Sequence, residues 1–150
     1  QPAIKLVQSA LPSNPRTYER YSFLSEHIGP NDVVIATLET GWRVPAFAGK
    51  IVGALHPMPY VESHEQRRSD VATFFSDTTS TETRERILDA YDVRFILIDT
   101  TTRDEARMNL DDFTAFGPVI EEDRGLILIR REKDSIDTNV STDDNERISS

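Results

Sequence analysis

The sequence predicts an α/β domain, with a mostly parallel sheet flanked by helices and a C-terminal antiparallel hairpin. Three observations carry this expectation. Val33-Val34-Ile35-Ala36 and Val93-Arg94-Phe95-Ile96-Leu97-Ile98 are short apolar runs of the kind that suits strands covered on both faces. Between them lie helical patterns opened by capping signatures, which supply a crossover of ample length. After them, Val119-Ile120 and Leu126-Ile127-Leu128-Ile129 flank a polar stretch ending in Gly125, the pattern of a hairpin. Strands alternating with helices make the layered, Rossmann-like arrangement.

The elements follow in order. Residues 1–15 hold Pro2, Pro12 and Pro15 and read as an extended lead-in. Arg16 to Ile28 reads as a helix with Tyr21, Leu24 and Ile28 on its buried face, stopped by Gly29-Pro30. Val33–Ala36 is the first strand, and Thr37 to Pro45 reads as a loop. Phe47 to Leu55 is a second strand, weakened by Gly49 and Gly53. His56-Pro57-Met58-Pro59 is a rigid connector. A helix begins at Ser63 with Gln66 as capping-box partner and buries Val71, Phe74 and Phe75. Another begins near Thr79, with Glu82 as partner, and buries Ile87, Leu88 and Tyr91. Val93–Ile98 is the clearest strand. Thr102 and Glu105 form a third capping box, opening a helix through Phe113, and Gly117-Pro118 ends it. Glu121-Glu122-Asp123 reads as a solvated hairpin tip. Arg67, Arg68, Arg84 and Arg86 read as surface partners of Glu65, Asp70, Glu82 and Glu85. One α/β domain therefore spans 16–131. Residues 132–150 hold six acids, two bases and only Ile136, Val140 and Ile148 as aliphatics, the composition of a disordered polar tail.

Composition excludes several chemistries. The 150 residues include no cysteine, which removes disulfides, thiol nucleophiles and Cys-based metal sites. Acidic residues outnumber basic ones 26 to 17, a net charge of −9, which argues against nucleic acid as a partner. No apolar run approaches the roughly 20 residues needed to cross a bilayer. Gly49-Lys50 resembles the end of a phosphate-binding loop, but Val44 stands where that motif needs Gly and Ile51 where it needs Ser or Thr. No dinucleotide fingerprint, nucleophile elbow or paired-histidine helix is present, so no catalytic residue, metal or cofactor is assigned.

One constellation remains. In open α/β sheets, ligands bind beyond the carboxyl ends of the strands. Glu39, Trp42 and Arg43 follow the first strand, His56 follows the second, and Asp99 ends the strand Val93–Ile98. An aromatic plate, a fixed cation, a titratable ring and two carboxylates suit a polyhydroxylated or phosphorylated group.

The segment from Thr37 to Leu97, with the strand before it, carries a set of motifs. These are Val33–Ala36, Pro45-Ala46, Gly49-Lys50, His56, Arg67 or Arg68, Phe74-Phe75 and Tyr91-Asp92-Val93-Arg94-Phe95. Together they resemble the soluble C-terminal region of polytopic membrane glycosyltransferases of the GT-C type, which use polyprenyl-phosphate sugar donors. The family has Arg more often where this chain has Lys50. Its catalytic acid lies in an early loop between membrane helices, to which nothing here corresponds. The resemblance therefore implies a non-catalytic, extracytoplasmic module, anchored by upstream membrane helices, that helps position donor or acceptor. Its partners would be a glycan or polyprenyl-phosphate-linked sugar and the protein's own transmembrane region. The start at Gln1-Pro2, without Met, is expected of a piece of such a protein. Two other classes remain open on the residues alone: a free-standing Rossmann-like nucleotide- or phosphate-binding enzyme domain, and a protein-interaction domain.

Overall fold

A computed structural model describes residues 19–47, 49–53 and 63–132. The proline-rich lead-in, the His56–Pro59 connector and nearly all of the polar tail lie outside these residues.

Five strands form one sheet: β1 (Val33–Ile35), β2 (Lys50–Ile51), β3 (Val93–Asp99), β4 (Val119–Asp123) and β5 (Leu126–Arg130), in the order β2-β1-β3-β5-β4. β1 runs parallel to β2 and to β3, pairing Val34 with Ile51 on one side and Phe95 on the other. The expected neighbours β1 and β3 are thus adjacent and parallel. β5 joins β3 antiparallel, with Leu97 opposite Leu128, and β4 closes the hairpin on the outer edge.

Both faces of the sheet are covered, which is why β3 is apolar at successive positions. Ile35, Ile96, Ile98, Ile127 and Ile129 pack on one face against α3 (His64–Phe75), α4 (Thr81–Ala90) and α5 (Asp111–Thr114). Val34, Phe95, Leu97, Leu126 and Leu128 pack on the other, against Tyr21, Phe23, Leu24 and Ile28. The expected helical face Tyr21, Leu24 and Ile28 is buried as the periodicity requires. Its backbone is broken, however. Residues 19–21 are helical and α1 covers only Leu24–His27. Ser22 and Ser25 donate their hydroxyls back to the carbonyls of Glu19 and Ser22, the local competition that disfavours a long helix.

Other boundaries also differ from the sequence reading. Thr37–Pro45 is not a loop. The Thr37 hydroxyl accepts from the Thr40 amide and caps α2 (Leu38–Gly41), and a 3-10 turn, Val44–Ala46, follows. The second strand is two residues long, because Gly49 at φ 79° breaks its extension. A Cβ there would lie 2.9 Å from the Asp32 carbonyl oxygen, so only Gly fits. At Ser63 the backbone is left-handed and no capping box forms. Gln66 instead donates to Asp70 one turn on. α4 is capped by Ser80, whose hydroxyl accepts from the Thr83 amide, so Glu82 is not a box partner.

Arg84 is not a surface charge. It is buried and donates to the carbonyls of Phe74 and Ser76 at 2.8 and 2.6 Å, closing the end of α3. The helix expected from Thr102 to Phe113 is a 3-10 turn, Glu105–Arg107, and the short α5, separated where the Asn109 side chain accepts from the Asp111 amide. Glu121-Glu122-Asp123 belong to β4. The turn is Arg124-Gly125, both at positive φ, the two-residue form that matches strand twist.

Candidate functional site

From β1 the chain passes to β2 on one side. It then crosses back over α3 and α4 to β3 on the other. The connections therefore diverge beyond the carboxyl ends of β1 and β3, the place where such sheets bind ligands. α2 begins just past β1, and the Asp99–Thr102 turn just past β3.

The floor of this edge is a buried polar network. Thr40 donates its hydroxyl to Glu105 at 2.6 Å, and Thr102 donates to the same carboxylate oxygen at 2.8 Å. The other oxygen of Glu105 accepts the Asp99 amide at 3.2 Å. Thr40, Asp99 and Glu105 are all nearly inaccessible to water. Burial raises the Glu105 pKa above the ordinary glutamate value, Asp99's charge adds to this, and the three donors work against it. Glu105 thus does more than cap a turn: it ties α2 to the end of β3.

Asp99 has its own partners. Arg20 donates to it at 2.7 Å, and the Thr101 hydroxyl and amide at 2.6 and 3.0 Å, all to the same oxygen. Arg20 also donates to the Arg124 carbonyl in the hairpin turn. Tyr21 lies beside this group, its hydroxyl 3.4 Å from the Thr40 carbonyl. Burial first, then the Asp99 charge, raises the Tyr21 pKa, while its bond from Arg43 opposes the shift.

The rim carries Trp42 and Arg43. Trp42 is 38% exposed, unusual for so large an apolar ring. The Arg43 guanidinium lies 4.8 Å from the Trp42 ring and 5.9 Å from that of Tyr21. Its Nε is buried and has no hydrogen-bond partner among the described residues. Glu39 is exposed on α2.

The structure therefore brings Trp42, Arg43 and Asp99 to one edge, with Asp99 below the rim as a framework group already bound to Arg20. Glu39 shares the edge through α2. His56 lies outside the described residues. Thr40 and Thr101, which stand at the same strand ends, complete the arrangement with Arg20, Tyr21 and Glu105. The sequence marks Tyr21 only as a buried helix face and Glu105 only as a capping partner, and gives no sign of Arg20.

The floor's carboxylates are engaged by fixed donors: Arg20 and Thr101 on Asp99, and Thr40, Thr102 and the Asp99 amide on Glu105. The stacked Trp42–Arg43 pair offers a flat apolar face and a fixed positive charge. Elsewhere, Glu26, His27 and Glu121 bring potential metal-ligand atoms within 4.8 Å of one another, but the His27 ring and Glu121 already pair directly. The chain matches no known protein-family model and no curated protein. The fold and the rim define it as an open α/β domain with a candidate ligand edge.

Proposed function

We propose that this chain is the extracytoplasmic C-terminal module of a multi-pass membrane protein, a glycosyltransferase that uses lipid-linked sugars. It positions donor or acceptor and leaves the chemistry to the membrane part. The observation that carries this reading is the Trp42–Arg43 stack at the switch-point rim, above a floor whose carboxylates are engaged. Such a pair suits the ring of a sugar on one side and a phosphate oxygen on the other. The resemblance to GT-C tails supports it. Of its motif residues, Val33–Ile35 form β1, Lys50 lies in β2 and Val93–Phe95 open β3, all parallel, and Phe74-Phe75 pack on that sheet from α3. Gly49 is required by its backbone.

The test is Arg43→Ala in the whole protein, with sugar transfer from a polyprenyl-phosphate donor assayed in membranes. Transfer should fall at least about tenfold, the loss of one charge-assisted contact, while the chain's own stability changes by less than about 1 kcal/mol. Unchanged transfer, or transfer lost only together with the fold, overturns the reading.

A further inference from the structure

At the opposite edge of the sheet, where β1 and β3 begin and β5 ends, lies a cavity of about 440 Å3. Its walls include Asn31, Asp32, Asp92, Arg94, Arg130 and Arg131. The antiparallel register brings Arg130 opposite Phe95, and the Arg131 amide donates to the Arg94 carbonyl, so three arginines from two adjoining chain segments line one cavity. The lining gathers three arginines and two aspartates, with Asp89 and Glu132 beside Arg131 and Arg130. A neighbouring opening shares Asp32, Arg94 and Arg130 with it.

The arginines are only partly engaged. Asp32 accepts the Gly29 amide at 2.7 Å with one oxygen, and its other oxygen is 3.8 Å from Arg94, too far for a hydrogen bond. Arg130 reaches Glu132 only at 3.9 Å. The Arg131 side chain is 6% exposed and pairs with Asp89 through Nη2. Its Nη1 is buried with no hydrogen-bond partner among the described residues. A buried donor without an acceptor is unfavourable, and an incoming oxygen reached by a small rotation of the guanidinium would satisfy it.

We propose that this cavity binds a phosphate group. Planar guanidinium forks converging from different residues match the several oxygens of phosphate better than the two of a carboxylate. The volume admits more than one phosphate, as in a pyrophosphate or a phosphodiester. The site lies on a different edge from Trp42 and shares no residue with it, so it stands or falls apart from the function proposed above.

The test uses the full chain at fixed ionic strength, with two probes: inorganic pyrophosphate by calorimetry, and co-sedimentation with phosphatidylcholine vesicles containing phosphatidic acid. R94Q and R130Q change side chains that are 63% and 48% exposed, so both should fold, as circular dichroism will check. R107Q, exposed and outside the cavity wall, is the control. Saturable binding of at least one probe is expected, weakened at least about tenfold in R94Q and in R130Q but not in R107Q. Binding of pyrophosphate alone assigns the site to soluble phosphorylated compounds, and binding of vesicles alone to lipid headgroups. The proposal is overturned if neither probe binds at about 10 mM phosphate. It is equally overturned if R94Q and R130Q bind like the parent, or if R107Q loses as much as they do.

Discussion

Replacing Glu105 tests whether the floor of the carboxyl edge is held by this one side chain. In Glu105→Ala, the Asp99 amide and the Thr40 hydroxyl lose their acceptor, and both belong to residues no more than 4% exposed. Thr102 keeps an alternative, because its hydroxyl also lies 3.1 Å from the Asp99 carbonyl. Each orphaned buried donor costs about 1–3 kcal/mol, so the loss should be about 2–6 kcal/mol, less some relief from removing a buried charge. At about 4 °C per kcal/mol, Tm falls by roughly 8–24 °C. Glu105→Gln keeps one acceptor and should lose less. It also removes a pH effect whose sign is fixed. The folded pKa of Glu105 is raised, so the folded state binds more protons than the unfolded chain between the ordinary glutamate value and the raised one. This group's contribution is full below that window and declines as pH rises through it. Urea unfolding across pH 4 to 7, on the order of the carboxylate range, should therefore show E105Q gaining on the parent as pH increases. A loss below about 1 kcal/mol in E105A, or equal losses in both variants at every pH, would show that Glu105 does not hold this floor.

Three further outcomes follow from single contacts. Arg84→Met keeps the apolar stem but takes the guanidinium donor from the Phe74 carbonyl and leaves the Ser76 carbonyl with only the Thr79 amide, and urea unfolding should show a loss of about 1–3 kcal/mol; an unchanged midpoint would show that these bonds do not hold the end of α3. Gly49→Ala forces a Cβ onto a left-handed backbone beside the Asp32 carbonyl, and a thermal melt should register about 1–3 kcal/mol of destabilisation. The Tyr91 hydroxyl, pushed up to about 12 by burial and by its hydrogen bond to Asp70, should ionise late in an absorbance titration, and Asp70→Asn should bring it back toward the ordinary tyrosine range; no response to that change would remove Asp70 as a cause.

The sheet was legible because its signal is local and strong. Val33–Ile35 and Val93–Ile98 announce strands buried on both faces, and Gly125 announces the hairpin turn. The misread elements are those whose stability comes from distant partners. α2 is a single turn, too short to stand on propensity, and its Thr40 is anchored to Glu105, 65 positions away. In sequence Arg84 looks like an ordinary helix-surface charge and Glu105 like a capping partner, and only the fold brings them to the Phe74 and Ser76 carbonyls and to the Asp99 amide. The site shows the same division. Trp42, Arg43 and Asp99 stand at strand ends, where a positional rule finds them. Arg20 reaches Asp99 across 79 positions from a helical stretch and carries no mark of it in sequence.

Trp42 is the chain's one tryptophan, so its fluorescence reports the rim without a label. The most direct measurement is a titration of the full chain with a short-chain polyprenyl-phosphate sugar, followed by Trp42 emission, in the parent and in Arg43→Ala. Ring stacking on the exposed indole should quench or blue-shift the emission saturably, and Arg43→Ala should weaken the response at least about tenfold. Emission that does not change on adding the sugar phosphate, or that changes equally in Arg43→Ala, contradicts a ligand edge at Trp42 and Arg43.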